Sequence, residues 1–286
     1  MKKSKCYLCG AAKCFTIHNG VRDKPDIDVL KCESCGLVYL SEFVHEDDGY
    51  YRESKMWDGK SFAQWQSQTK QDDVRRYEQY KDDIHGKNIL DFGCGNGNFL
   101  QLAAICANKV MGIEKDEASS NYIKDHMQIS VFSDLREIPQ EVTFDYIFLF
   151  HVIEHIKNPC EVLALLSDKL AANGEIVIET PNANDALLSV YNCSAFASFT
   201  YWSAHIILYH EDTLKRLAGN AGLKMNWMRQ YQRYPLANHL KWIQKGLPGG
   251  GEEYAIFDVL ELNKVYESVL SRNKICDTLI CSLRRV

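Results

Sequence analysis

The chain has 286 residues, a formal net charge of −5 and 46% hydrophobic content, enough for one α/β domain plus a small module. Its mild acidity lacks the basic stripe expected of a nucleic-acid binder, and no apolar run approaches the length of a membrane span. Eleven cysteines, an odd number that includes paired Cys-x-x-Cys motifs, fit a reduced metal-binding protein better than a disulfide framework, and Met1-Lys2-Lys3-Ser4 leads into no apolar signal core, so a cytoplasmic location is expected.

Residues 1–40 read as a zinc ribbon. Cys6-Tyr7-Leu8-Cys9-Gly10 and Cys32-Glu33-Ser34-Cys35-Gly36 are matching knuckles, each able to grip one side of a tetrahedral Zn²⁺. A glycine after each second cysteine permits the turn that carries backbone N–H groups toward sulfur. Four thiolates leave no open coordination position, so the ion would be structural, and it would supply much of the folding energy of so short a segment. Incidental cysteines or a redox pair are the alternatives, and matching glycines disfavour both. Cys14 is a substitute ligand or a small buried residue. Leu37-Val38-Tyr39 reads as a strand leaving the ribbon.

Residues 41–85 read as a helical linker and lid. Phe62, Trp65, Val74, Tyr77, Tyr80 and Ile84 fall at loosely helical spacing, which predicts their burial on one helix face.

From residue 86 onward, strands alternate with helical stretches, which predicts a parallel sheet covered on both faces. Ile89 and Leu90 end a buried strand that Asp91 closes; Gly93, Gly95 and Gly97 then turn into a helix carrying Phe99, Leu100 and Leu102. A glycine turn of this kind lets a ligand approach the backbone. Lys109–Glu114 and Ile129–Asp134 are further strands that end in acids. Phe144–Phe150 is too continuously apolar for a half-exposed strand, and Gly174–Thr180 is a fifth. Three acids at successive strand ends fit one ligand, S-adenosylmethionine.

His151-Val152-Ile153-Glu154-His155 has the spacing of an inverted zinc-protease motif, but that motif needs one sustained helix. Here Asn158-Pro159 begins a new helix, with Asn158 as N-cap and Glu161 in the first turn. Glu154 and His155 are expected to brace the loop. From 182 to 205 the chain is too apolar for a free loop and is expected to cap the acceptor or to form an oligomer interface such as a homodimer. A helix from Asp212 or Thr213 to Ala221, a strand from Leu223 to Tyr231, a helix within 253–270 and a last strand over 277–283 complete the domain.

Leu90-Asp91-Phe92-Gly93-Cys94-Gly95-Asn96-Gly97, the Glu114 strand, Phe144-Asp145-Tyr146-Ile147 with His151–His155, and Asn173–Asn182 together resemble the class I S-adenosylmethionine-dependent methyltransferases, and the resemblance covers residues 86–286. It implies a Rossmann-like seven-stranded sheet with helices on both faces, its last strand antiparallel beside the fifth. It also implies a cofactor site in which Asp91 lies near the cationic methionine end, Glu114 on the ribose hydroxyls and Asp134 by the adenine. Gly93, Cys94, Gly95, Gly97, Lys115, Phe150 and His151 complete that site, and Tyr50 or Tyr51, with Trp57, closes over it. A nicotinamide-dependent dehydrogenase would instead want glycine where Asn98 stands. The implied reaction is methyl transfer to an oxygen of a small-molecule acceptor, with His205 as first candidate base and His151 as second. Similar ribbon-bearing enzymes point to a sugar or capsule-polysaccharide precursor. A phosphate- or phosphoramidate-linked capsule precursor, N-methylation of an amino sugar, and a non-catalytic binding or scaffold protein are the alternatives; no nucleic acid is expected as partner.

Overall fold

The computed structural model describes residues 5–43 and 61–286. Tyr50, Tyr51 and Trp57, the expected lid aromatics, lie outside the described residues.

The N-terminal module forms three short antiparallel strands, β1 (Cys14–His18), β2 (Val29–Cys32) and β3 (Val38–Leu40). A 19-residue helix, α1 (Phe62–Tyr80), follows, and Ser61 caps it through a reciprocal pair of hydrogen bonds with Gln64. Of the apolar positions at helical spacing, Tyr80 and Ile84 are buried, Phe62, Trp65 and Tyr77 are half-buried, and Val74 is exposed. The helix also buries Asp73 and Arg76, charged residues that a hydrophobic period does not reveal.

The main sheet then unfolds in alternation: β4 (Asn88–Phe92), α2 (Asn98–Ala103), β5 (Lys109–Ile113), α3 (Glu117–Tyr122), β6 (Ser130–Phe132), β7 (Phe144–Phe150), α4 (Pro159–Asp168) and β8 (Leu170–Pro181). After β8 come two short helices, α5 (Ala186–Ser189) and α6 (Ser194–Thr200), a two-residue strand β9 (Ile207–Leu208), α7 (Glu211–Asn220), β10 (Leu223–Tyr231), α8 (Leu236–Lys245), α9 (Leu260–Arg272) and β11 (Thr278–Arg285). The sheet order is β10-β11-β8-β7-β4-β5-β6, parallel throughout except for β11, which runs antiparallel between β8 and β10. This is the expected seven-stranded Rossmann-like sheet.

Period-two alternation divides the core. Ile147, Leu149, Ile176 and Ile178 pack on one face with Leu163, Leu166, Leu214 and Leu217; Ile89, Phe148, Phe150 and Val177 pack on the other with Tyr80, Ile84 and Phe99. Phe144, Ile147, Phe148 and Leu149 are fully buried, which is why β7 reads as one apolar run. Full burial of such a side chain is worth about 1.5–3 kcal/mol. The chain reverses direction across the sheet at β4, between β5 and β7, so a ligand crevice is expected at the carboxyl end of β4.

The ribbon is not an independent lobe. β9 pairs antiparallel with β3, Val38 opposite Leu208 and Tyr39 opposite Ile207, giving a four-stranded sheet in the order β1-β2-β3-β9. Leu37, Val38, Tyr39 and Leu40 share one buried cluster with Ile206, Ile207 and Tyr209. The apolar segment 182–205 is the joint. Phe196 and Phe199 pack on Trp242 of α8, at 5.3 and 5.1 Å, while Arg22 of the ribbon lies 4.9 Å over Trp202. Among the described residues no helix is long and apolar enough to cross a membrane.

Candidate active site

The glycine turn follows β4. Gly93, Gly95 and Gly97 have φ of +78°, +54° and +77°, the left-handed region that glycine enters without strain. A Cβ on Gly93 would lie 2.6 Å from Val152 Cγ2, so the turn is closely packed. Helix α1 clamps it: Asn96 Nδ2 donates to Thr69 Oγ1 at 2.8 Å and Asn98 Nδ2 to the Gln66 carbonyl at 3.0 Å. The Cys94 thiol is buried among Leu100, Ile123 and Val131, so only its backbone is placed to meet a ligand.

Asp91 lies under this turn, 3% exposed, and one carboxylate oxygen has no hydrogen-bond partner among the described residues. Burial pushes its carboxyl up to about 8; Arg76 opposes this, and Asp73 and Glu114 add to it. A buried, unpaired acid of this kind fits a cationic ligand. Glu114 Oε2 accepts the Gly95 N–H at 2.7 Å and Oε1 the Asp116 N–H at 2.8 Å. Burial pushes Glu114 up to about 7 against those two bonds. Each of its oxygens keeps a lone pair for a ligand hydroxyl. The exposed Lys115 follows it in the loop.

Asp134 is engaged differently. It accepts the Arg136 backbone N–H at 2.8 Å, Nε at 2.8 Å and Nη2 at 2.6 Å, and this pairing pulls its carboxyl down to about 2. Phe150 is 8% exposed, packs on Phe99 and Phe148, and supports the Arg76 guanidinium 4.6 Å above its ring.

At the end of β7 the chain brings the two candidate histidines close together. His151 takes φ of +56°, its N–H bonded to the Glu179 carbonyl at 2.8 Å. Its Nδ1 lies 3.3 Å from Glu154 Oε1 and its Nε2 3.4 Å from Glu179 Oε1, both off-line for a full hydrogen bond. Burial presses its pKa down, but the two carboxylates outweigh this and raise it above the ordinary histidine value. Glu154 is fully buried, accepts Thr180 Oγ1 at 3.0 Å, and is held down to about 2, its burial outweighed by His151 and the other histidines. It is the hub of the cluster as well as a loop brace. His155 donates Nδ1 to the Ala204 carbonyl at 2.7 Å, and its ring is 5.0 Å from that of His205. His205 is pressed down to about 3, by burial first and by His155 second, and its Nδ1 is buried without a partner. A base so weak is neutral but a poor proton acceptor at pH 7. The environment therefore favours His151 over His205, the reverse of the order expected from sequence.

The sequence reading missed a set of paired charges. Glu179, 0% exposed on β8, accepts Arg75 Nη2 at 2.7 Å and Arg76 Nη2 at 2.8 Å. Arg76 also pairs with Asp73 at 3.0 Å, and Asp72 with Arg233. One clue was available: Glu179 directly follows the apolar run Ile176-Val177-Ile178, and a buried acid requires a partner.

In the ribbon, Cys6 Sγ lies 3.6 Å from Cys35 Sγ and Cys9 Sγ 3.6 Å from Cys32 Sγ, all four within 4.8 Å of one another. A tetrahedron with about 2.3 Å zinc–sulfur bonds has edges of this size. Gly10 and Gly36 take φ of +72° and +77°, and their N–H groups bond back to the Cys6 and Cys32 carbonyls at 2.9 and 3.0 Å. Cys14 is outside the cluster.

The family described as a methyltransferase domain matches residues 62–226. The tRNA U34 carboxymethyltransferase of Pseudomonas putida (strain W619) is 33% identical over 107 residues, covering 34% of each chain. That of Colwellia psychrerythraea is 30% identical over 126 residues, 41% of this chain and 38% of the relative. The alignments thus span about a third of the length of these curated relatives. Among solved structures, a chain from a Haloferax volcanii complex of the Trm112 methyltransferase activator aligns with a TM-score of 0.51 and 13% identity, covering 78% of this chain and 97% of that one, a likeness of fold.

Proposed function

We propose the following function for this chain, which belongs to the methyltransferase-domain family: transfer of a methyl group from S-adenosylmethionine to an oxygen of a small polar acceptor, with a sugar or surface-polysaccharide precursor as the acceptor class. The enzyme is a class I S-adenosylmethionine-dependent methyltransferase. The observation that carries the site assignment is Asp91, a buried acid with an unpartnered oxygen under a three-glycine turn at the switch point of the sheet. Unsatisfied buried groups are rare in native proteins and call for a ligand. The bound cofactor supplies an already activated methyl on a sulfonium.

The protein's work is then alignment, charge matching and proton removal. Asp91 meets the cationic end, Glu114 the ribose hydroxyls, and the backbone of Gly93 to Gly97 shapes the approach. His151, at the edge of the sheet between Glu154 and Glu179, takes the acceptor proton. Cys6, Cys9, Cys32 and Cys35 hold one structural zinc, which fixes the sheet that β9 completes.

Two outcomes follow from the charges. Asp91 must be ionised to pair with a cation, and its carboxyl stands at about 8 without one. Cofactor affinity is therefore expected to rise as pH increases toward about 8, with proton release, and to level off above. Calorimetry in two buffers of different ionisation enthalpy measures the protons; affinity and heat independent of pH would remove Asp91 from the site. For His151 the raised pKa places the rising limb of the rate above the ordinary value of about 6.5. Glu154→Gln removes one of the two carboxylates and is expected to move that limb down. A limb that stays in place would sever His151 from the proton transfer.

The relatives' acceptor, a tRNA by their name, is the second reading, favoured by their sequence identity and opposed by the net charge of −5. Methyl-labelled S-adenosylmethionine incubated with protein and cell extract decides between them. Label in the small-molecule fraction is expected; label confined to RNA would replace the small-metabolite reading.

A further inference from the structure

We propose that the acceptor carries an oxyanion, a carboxylate or phosphate group, and that Arg75 with Arg233 receives it beside His151. This rests on the methyltransferase reading above and specifies the acceptor of the same site.

Arg75 is held but only half used. Its guanidinium lies 4.5 Å over the Tyr231 ring at the end of β10, and Nη2 donates to Glu179 Oε1 at 2.7 Å and Oε2 at 3.0 Å. Nε and Nη1 are buried and have no partner among the described residues. A buried donor left unpaired is costly, most of all on a charged group. The acids around Arg75 are committed elsewhere. Glu179 also takes Arg76 Nε at 3.2 Å and Nη2 at 2.8 Å, Asp73 takes Arg76 Nη1 at 3.0 Å, and Asp72 takes Arg233 Nε at 2.8 Å. Three guanidiniums share three carboxylates, and none of these turns to the idle donors of Arg75.

The position is that of an acceptor. Glu179 Oε1, bonded to Arg75, is 3.4 Å from His151 Nε2, which is itself unpartnered. Arg233 comes from the loop after β10 and is linked to Arg75 through Asp72, whose Oδ1 lies 3.6 Å from Arg75 Nη2. Asp277 fixes that loop by accepting the N–H groups of Arg233 and Tyr234, each at 3.0 Å. The Arg233 side chain is 28% exposed and that of Arg75 18%, so the pair is reached from the Arg233 side more readily. Planar guanidiniums match carboxylate and phosphate geometry, and such charge-assisted bonds are roughly twice as strong as those to a neutral hydroxyl.

The test uses the zinc-loaded full chain saturated with S-adenosylhomocysteine, titrated with inorganic phosphate and separately with acetate. Wild-type protein is expected to bind one or both saturably in the millimolar range. Arg75→Gln is expected to weaken that binding at least tenfold while S-adenosylhomocysteine affinity changes less than twofold. Stronger phosphate binding identifies a phosphate-bearing acceptor, and stronger acetate binding a carboxylate. Should Arg75→Gln fail to fold, Arg233→Gln replaces it, with a loss of at least threefold expected. Wild-type protein that binds S-adenosylhomocysteine but neither anion overturns this proposal alone, as does an Arg75→Gln protein that loses cofactor and anion equally. Wild-type protein that does not bind S-adenosylhomocysteine overturns the methyltransferase reading and this proposal with it.

Discussion

Cys32→Ser is expected to release the ribbon's zinc and to disturb the structure well beyond residue 40. Structural zinc in small cysteine sites contributes about 10–16 kcal/mol of apparent binding free energy, which is folding free energy where the site does not preexist. Here the loss would spread by a visible route. β3 pairs with β9, and Ser203, two residues from His205, donates through N–H to Asp23 at 3.0 Å. The expected readings are zinc near one equivalent in the wild type and near zero in the variant, a lower melting temperature, and reduced methyl transfer with near-normal cofactor affinity. Elemental analysis showing equal zinc in both proteins, or none in wild type purified without chelator, would contradict the assignment.

Glu114→Ala is expected to weaken S-adenosylmethionine by at least tenfold. Hydrogen bonds to an ionised carboxylate are worth about 1.5–3 kcal/mol each. The same side chain also pins the Gly95 and Asp116 N–H groups, so its removal loosens the glycine turn as well as the ribose contact. Glu114→Gln separates the two effects. It retains one acceptor oxygen, so it should keep more of the turn than alanine does while still weakening the cofactor. Unchanged cofactor affinity in Glu114→Ala would remove this residue from the site.

These expectations draw unequally on what a sequence can show. β7 was readable because a central parallel strand is buried on both faces and writes seven nearly unbroken apolar residues. The glycine turn was readable because left-handed backbone selects glycine locally. β10 and β11 were readable from their patterns, and the antiparallel place of β11 beside β8 from the resemblance. Helix α1 was legible as a helix whose apolar face holds Tyr77 and Tyr80, but not as one that also buries Asp73 and Arg76, because charged residues leave no mark on a hydrophobic period. The Arg75, Arg76 and Glu179 cluster joins residues 103 and 104 positions apart, a distance over which one sequence carries no pairing information. The relative basicity of His151 and His205 was hidden for a related reason. Histidine basicity is set by burial and neighbouring charge, and those neighbours come from β8, the loop after β7 and the joint near residue 205. The continuity of the ribbon with β9 was likewise hidden in a two-residue strand.

The most direct measurement is a calorimetric titration of the zinc-loaded protein with S-adenosylmethionine, run beside the same titration with NAD. One saturable S-adenosylmethionine site per chain is expected, tighter at pH 8 than at pH 6, with no saturable heat from NAD. No S-adenosylmethionine binding across that pH range, or NAD binding in its place, would contradict the account.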